Sequence, residues 1–289
     1  MLTQNSIFIL LMLSTFRLSL PLLLTALGGY FSEKSGVAQI ALESFLLIGA
    51  FSAATSAYLF HSILFGYVIA ALASVLFAQI FCFLVLKLEA NSVIIGTGLN
   101  LLAVGIIPLI SKSIFDSTGS TPSLTDLKFA SSAPFVVLFF VIGGSFYLSE
   151  KTLWGLHVKF AGEKKAALEA VGISSRLRQW QAVSLGAFIT GLAGAILSTY
   201  LASAYSPLMS AGRGFIALAA IIFAGWNLGF IILISLFFGF CEAVQILAQS
   251  NELISAQIPA EFIQMTPYVM TLLALMVFKT KQQAPKELK

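Results

Sequence analysis

The residues of this chain that could do chemistry are few, and most sit inside apolar stretches. Gln39 and Glu43 fall within GVAQIALESFLLIGA (36–50), Asn100 within GTGLNLLA, and Glu242 and Gln245 within a later apolar block. A carboxylate inside an apolar span costs about 2.5–3.5 kcal/mol on insertion scales and faces a cavity or a partner. Two readings of Glu43 follow: with Gln39 it hydrogen-bonds a substrate, or it pins a helix end by pairing with a buried donor. Asn100 offers one amide donor pair and one carbonyl acceptor, suited to reading a polar substrate edge or to bonding a neighbouring helix. Glu242 and Gln245 complete the pathway candidates. His61 and His157 are isolated, and Cys82 and Cys241 form no CxxC pair, so no metal site, disulfide framework or proton relay follows. No paired acids, HExxH or Ser/His arrangement lies in the apolar blocks, which argues against an intramembrane enzyme and implies no cofactor. The 26 phenylalanines could stack flat substrates, but packing and lipid contact account for most of them.

These residues must be positioned by a membrane protein. Apolar residues make up 58% of the 289 and charged residues only 10%, against about a quarter charged in soluble domains. The net charge of +4 does not indicate nucleic acid, because the basic residues flank apolar blocks, where they set topology. The blocks fall at about 6–31, 37–59, 63–86, 91–111, 133–149, 181–204, 207–224, 229–249 and 265–279, nine expected spans. The N-terminal MLTQNSIFILLML lacks the positive region and cleavage site of a secretory signal and is read as mature sequence. Arg17 and Pro21 interrupt the long first block, which leaves room for an extra bend there. Arg213 is expected to snorkel at the outer end of the seventh block, and Trp226–Asn227 to mark a tight turn.

Two segments, 150–178 and the tail from Lys279, hold ten of the sixteen Lys and Arg residues, which puts both on the cytoplasmic side. The loops 112–132 and 250–264 carry little net positive charge and are expected outside, with the N-terminus also outside. GVAQIALESFLLIGA (36–50) aligns with GRGFIALAAIIFAGW (212–226), GYVIAAL (66–72) with GFIILIS (229–235), and TALGG (25–29) with TGLAG (190–194). The expected fold is therefore an all-α integral membrane protein of about eight to ten transmembrane helices in two inverted repeats. It forms a single domain over 1–289: repeat A about 6–111, a connector span at 133–149, a cytoplasmic segment 150–180 and repeat B about 181–279. Within that cytoplasmic segment, GEKKAALEAVGISSRLRQW reads as helix, break at Gly172, helix. Ala166, Ala167, Ala170 and Val171 make a small apolar face suited to close docking.

The ordered motifs GLHVKFAGEKKAALEAVGIS, LGAFITGLAGAIL and MSAGRGFIALAAIIFAGW resemble the permease subunits of nucleoside-type ATP-binding-cassette importers, within the wider ribose and branched-chain amino acid permease group. LPLLLTALGGYFSEKSGVAQIALES, VIIGTGLNLLAVGI and TPYVMTLLAL have recognisable counterparts there, so the resemblance covers most of the chain. It departs where the family commonly reads Asn-Ile-Gly-Leu-Glu-Gly and this chain has Gln39-Ile40-Ala41-Leu42-Glu43-Ser44. The resemblance implies a transport subunit in the cytoplasmic (inner) membrane, in contact with membrane lipids and binding no nucleic acid. It implies three partners: an ATP-binding subunit, a second, paralogous permease and a substrate-binding lipoprotein. It also implies alternating access for a nucleoside, or for riboflavin or a simple sugar. Segment 162–173, with Gly162, Glu163, Ala166, Ala167, Ala170 and Gly172, is similar to the family's coupling motif. No GxxxxGK[ST] phosphate loop is present, so ATP hydrolysis is expected on another chain and this one is not an enzyme. The alternative reading is a self-sufficient ion-coupled carrier, which would want more intramembrane ionisable residues.

Overall fold

A computed structural model describes residues 4–125, 133–250, 262, 265, 269–270 and 284–288. Among them the chain forms ten α-helices and no strand: α1 (Gln4–Lys34), α2 (Leu42–Phe60), α3 (Ile63–Cys82), α4 (Ser92–Phe115), α5 (Ala133–Lys151), α6 (Leu153–Glu163), α7 (Lys165–Ala170), α8 (Ser175–Ile196), α9 (Arg213–Phe223) and α10 (Leu228–Ser250). Helices α3 and α8 each run on through a π-helical turn, Phe83–Lys87 and Leu197–Leu201. Without water to hydrogen-bond the backbone, a chain this apolar must satisfy each peptide group internally, and the helix does so within one segment.

Among the described residues, seven helices are long and apolar enough to cross a bilayer: α1 to α5, α8 and α10, with their π-helical extensions. They match seven of the nine expected spans. The first is one continuous helix through Arg17 and Pro21, with no extra bend into a second span. The block 207–224 is a correction: only Arg213–Phe223 is helical, eleven residues or about 16 Å, roughly half the hydrocarbon thickness. Ser203, Leu208, Ala211 and Gly212 before it take positive φ, so the approach to α9 is a chain of turns rather than a helix. The ninth span, 265–279, lies almost wholly outside the described residues.

Helix α8 occupies the centre. Three of its glycines meet three different helices: a Cβ on Gly186 would lie 2.5 Å from the Gly28 carbonyl of α1, one on Gly191 2.7 Å from the Ala70 carbonyl of α3, and one on Gly194 2.3 Å from the Leu46 carbonyl of α2. Because lipid tails are as apolar as any side chain, this close backbone approach, rather than the hydrophobic effect, holds such helices together. Helices α3, α4 and α5 lie outside, with Leu76, Leu101 and Phe139 exposed as lipid-facing or subunit-facing surface.

The two halves show related packing. Helix α1 packs mainly on α8 and α10, and α8 packs on α1, α2 and α3. Thr25 Oγ1 donates to the Pro21 carbonyl at 2.7 Å, and Thr190 Oγ1, its counterpart when TALGG is set against TGLAG, donates to the Gly186 carbonyl at 2.8 Å. Exchange of α1 with α8 and of α3 with α10 preserves these relations.

One end of the bundle gathers the termini of α1 and α3, helices α6 and α7, and the tail. Arg176 pairs with Glu89 at 3.1 Å, and the Glu287 amide donates to the Gly162 carbonyl at 2.9 Å. At the other end Tyr58 meets Phe115, and the Thr121 and Leu124 amides donate to the carbonyls of Tyr205 and Ser203.

Candidate functional site

Two interruptions define the polar interior: residues 35–41 between α1 and α2, and residues 202–212 before α9. A broken helix leaves peptide groups that buried surroundings must satisfy. Side chains from three helices do this for the first break. The Gln179 side-chain amide of α8 donates to the Ser35 carbonyl at 2.9 Å, and Glu33 of α1 accepts the Gln39 backbone N–H at 3.1 Å. Asn100 of α4 donates through Nδ2 to the Ile40 carbonyl and accepts the Ser44 N–H through Oδ1, both at 2.9 Å. Gly36, at φ +87°, makes the sharp exit from α1, where a Cβ would crowd both Gly162 and Glu287.

The second break is held by Glu43. Its Oε1 accepts from Ser210 Oγ and from the Gly212 amide at 3.1 Å, and its Oε2 accepts the Gly214 amide at 2.7 Å. Three of roughly four acceptor positions on the carboxylate are thus occupied, and the charge sits at the positive end of α9, where an anion is stabilising. Gly214 is required by the contact, since a Cβ there would lie 2.5 Å from the Glu43 backbone nitrogen. In this conformation Glu43 pins a helix end, the second of the two sequence readings.

Arg213 departs from the expectation of snorkelling. Its guanidinium turns inward, donating to the Met209 and Ser210 carbonyls and pairing with Glu242 of α10, with both side chains largely buried. Glu242 therefore joins the same constellation as Glu43, around the start of α9. Gln245 lies three residues further along α10 and is half-buried. Gln39 is 1% exposed, and neither its Oε1 nor its Nε2 has a hydrogen-bond partner, an uncompensated cost for a buried amide. Gln39, Glu43 and Asn100 are brought together on the first break, and Glu242 is joined to them through Arg213 and α9.

Glu33 went unnoticed in the sequence. It is 2% exposed, and while Oε1 holds Gln39, Oε2 accepts the Trp226 indole N–H at 2.8 Å. Trp226 sits at φ 54° in the expected turn, and Asn227 caps α10 through the amides of Gly229 and Phe230. Helix α9 is consequently tied at its start by Glu43 and just past its end by Glu33, both carboxylates of the N-terminal half. Glu33 lies inside the family-like motif LPLLLTALGGYFSEKSGVAQIALES, which carries no separate signal for it.

The segment expected to couple to another subunit forms α6, α7 and a turn at Gly172, φ +78°. Ala166, Ala167, Ala170, Val171 and Gly172 are exposed, with Leu168 turned inward. Glu163 is half-buried, and Gly162 is buried against the end of α1, where a Cβ would lie 2.3 Å from the Lys34 carbonyl. No group of three or more His, Cys, Asp or Glu side chains that could hold a metal occurs among the described residues.

Among the described residues, seven helices long enough to cross a bilayer surround a buried polar constellation at two interruptions, and comparison with known proteins says what such a domain does. The family described as branched-chain amino acid transport system permease components matches residues 11–278. This chain belongs to that family. The permease is 33% identical to the nucleoside ABC transporter permease NupC of Lactococcus lactis subsp. cremoris, over 93% of this chain and 92% of that protein. It is 30% identical to the guanosine ABC transporter permease NupQ of Bacillus subtilis, over 92% and 91%. It is also 27% identical to TsgC13 of Haloferax volcanii, a putative glucose ABC transporter permease, over 83% and 78%. No solved structure matches the permease.

Proposed function

We propose that this permease is the membrane-spanning subunit of an ATP-binding-cassette importer for nucleosides. The observation that carries the substrate class is kinship along nearly the whole chain with permeases named for nucleoside and guanosine transport. The partners in this reading are an ATP-binding subunit, a second, paralogous permease and a substrate-binding lipoprotein. The chain itself carries no ATP chemistry, its Lys-rich end and C-terminus are cytoplasmic, and the membrane is the inner one.

In this reading the two halves are inverted repeats, supported by the matched Thr25 and Thr190 hydrogen bonds and by the exchangeable packing of α1 and α8. Gln39, Glu43, Asn100, Glu242 and Gln245 border the pathway at the two breaks. Gln39, whose amide is buried without a partner, is the side chain most in need of a hydrogen-bonding ligand. Gly162, Glu163, Ala166, Ala167, Ala170 and Gly172 pass the motion of the ATP-binding subunit to the bundle. Gly162 anchors the segment to α1, and the exposed alanines form the docking face.

The test is uptake of a radiolabelled nucleoside by cells carrying the whole transporter and by cells lacking this chain, with unlabelled nucleosides, riboflavin, ribose and glucose as competitors. Loss of uptake with the chain, competed only by nucleosides, is the expected outcome. Competition by glucose or riboflavin instead would reassign the substrate. Uptake by the chain alone in proteoliposomes under an ion gradient would remove the ATP-driven reading altogether.

A further inference from the structure

A cavity of about 750 Å³ opens at the Lys-rich end of the bundle, between α1, the α5–α6 corner and the turn leading into α10. Lys34, Lys151 and Lys159 line it, with Glu150 the one carboxylate among the lining residues. None of the three ammonium groups has an ion-pair or hydrogen-bond partner among the described residues. Lys34 is half-buried, and the charges of Lys159, Glu163 and Glu150 act on it, so these groups share one field. The first turn of α6 also borders the space through Thr152, Leu153 and Gly155. Its early N–H groups, only one of which is capped by Thr152 Oγ1, add positive partial charge.

The same cavity has an apolar flank. Phe146, Leu153 and Leu156 line it and are also exposed, Leu153 to 73%. Above them α5 presents Phe139 and Phe140 on its outer surface. A site that takes only a small soluble anion has no use for exposed leucine and phenylalanine beside its lysines. An amphiphile with an anionic head uses both.

We propose that this cavity binds an anionic phospholipid, its phosphate among Lys34, Lys151 and Lys159 and its acyl chains along Phe146, Leu153 and Leu156. Basic pockets between transmembrane helices recognise lipid headgroups in this way. The site joins α1, which ends at the first break, to α6, which opens the segment carrying the exposed alanines. A lipid here would staple the two.

The experiment is native mass spectrometry of the delipidated full-length chain with dioleoylphosphatidylglycerol, dioleoylphosphatidylcholine and inorganic phosphate as probes. Phosphatidylglycerol should be retained over phosphatidylcholine. Lys34→Gln and Lys159→Gln should each weaken its binding about fivefold, and together about 25-fold. Glu150→Gln should strengthen it, and this variant keeps the test open if the lysine variants do not fold. Millimolar phosphate should displace none of the lipid. Equal retention of the two lipids, or phosphatidylglycerol binding that none of the three substitutions changes, would overturn the proposal. Displacement by phosphate would overturn it in favour of a free-anion site.

Discussion

Glu43 receives hydrogen bonds from Ser210, Gly212 and Gly214, and replacing it with alanine strands two backbone amides in a buried setting. Glu43→Ala is therefore expected to destabilise the protein by about 3 kcal/mol, whereas Glu43→Gln, which keeps an acceptor, should cost about 1 kcal/mol. Thermal unfolding in detergent at matched expression measures both. Gly214→Ala should resemble Glu43→Ala, because its Cβ would meet the Glu43 backbone at 2.5 Å and force α9 outward. At the opposite end, Trp226→Phe removes the donor to Glu33 and should lose about 1–2 kcal/mol while leaving the fold intact. Asn100→Leu should impair uptake, since it frees the Ile40 carbonyl and the Ser44 amide in the break that borders the proposed pathway. Normal uptake by Asn100→Leu would separate this residue from transport. That Glu43 and Asn100 would be buried against partners was legible in sequence, because polar groups inside apolar runs stand out by cost. Their bonding was not, because partners 167 to 171 residues from Glu43 leave no local trace. Glu33 escaped notice for a different reason: beside Lys34, Ser35 and Gly36 a carboxylate looks solvated.

The crossing elements were legible because runs of about twenty apolar residues have one stable solution in a bilayer. Block 207–224 misled because hydropathy counts apolar side chains without asking whether the backbone between them is helical. The positive φ values of Leu208, Ala211 and Gly212 carry no hydropathic signature. At this scale α7 is the element to perturb. Its alanines are exposed, so Ala167→Asp should leave insertion and melting unchanged within about 0.5 kcal/mol. In the assembled transporter the same charge, set against a docked partner, should reduce copurification of the ATP-binding subunit or substrate-stimulated hydrolysis. If copurification, hydrolysis and uptake all match wild type, α7 is not the coupling face.

For the whole molecule, the arrangement of ends makes a topological prediction. Ser174, beside α8, and Lys286 of the tail are both exposed at the end that gathers α6, α7 and Gly162, and exposed Ser117 follows α4 at the other. In a background lacking Cys82 and Cys241, single cysteines at 174 and 286 should react with an impermeant reagent only from the cytoplasmic side. One at 117 should react only from outside. Labelling of 174 and 117 from the same side would overturn the map.

The tail contact has a consequence in time rather than in space. Glu287 reaches the Gly162 carbonyl and lies against Gly36, so residues from three well-separated parts of the chain meet at one point. During synthesis the first two emerge long before the third. The anchor of the segment between α6 and α8 thus stays unfinished until residues beyond 283 have left the ribosome. Docking at the alanine face should accordingly be weaker on a chain that lacks residues 284–288 than on one that carries them, because the Gly162 carbonyl then has no Glu287 amide to hold it.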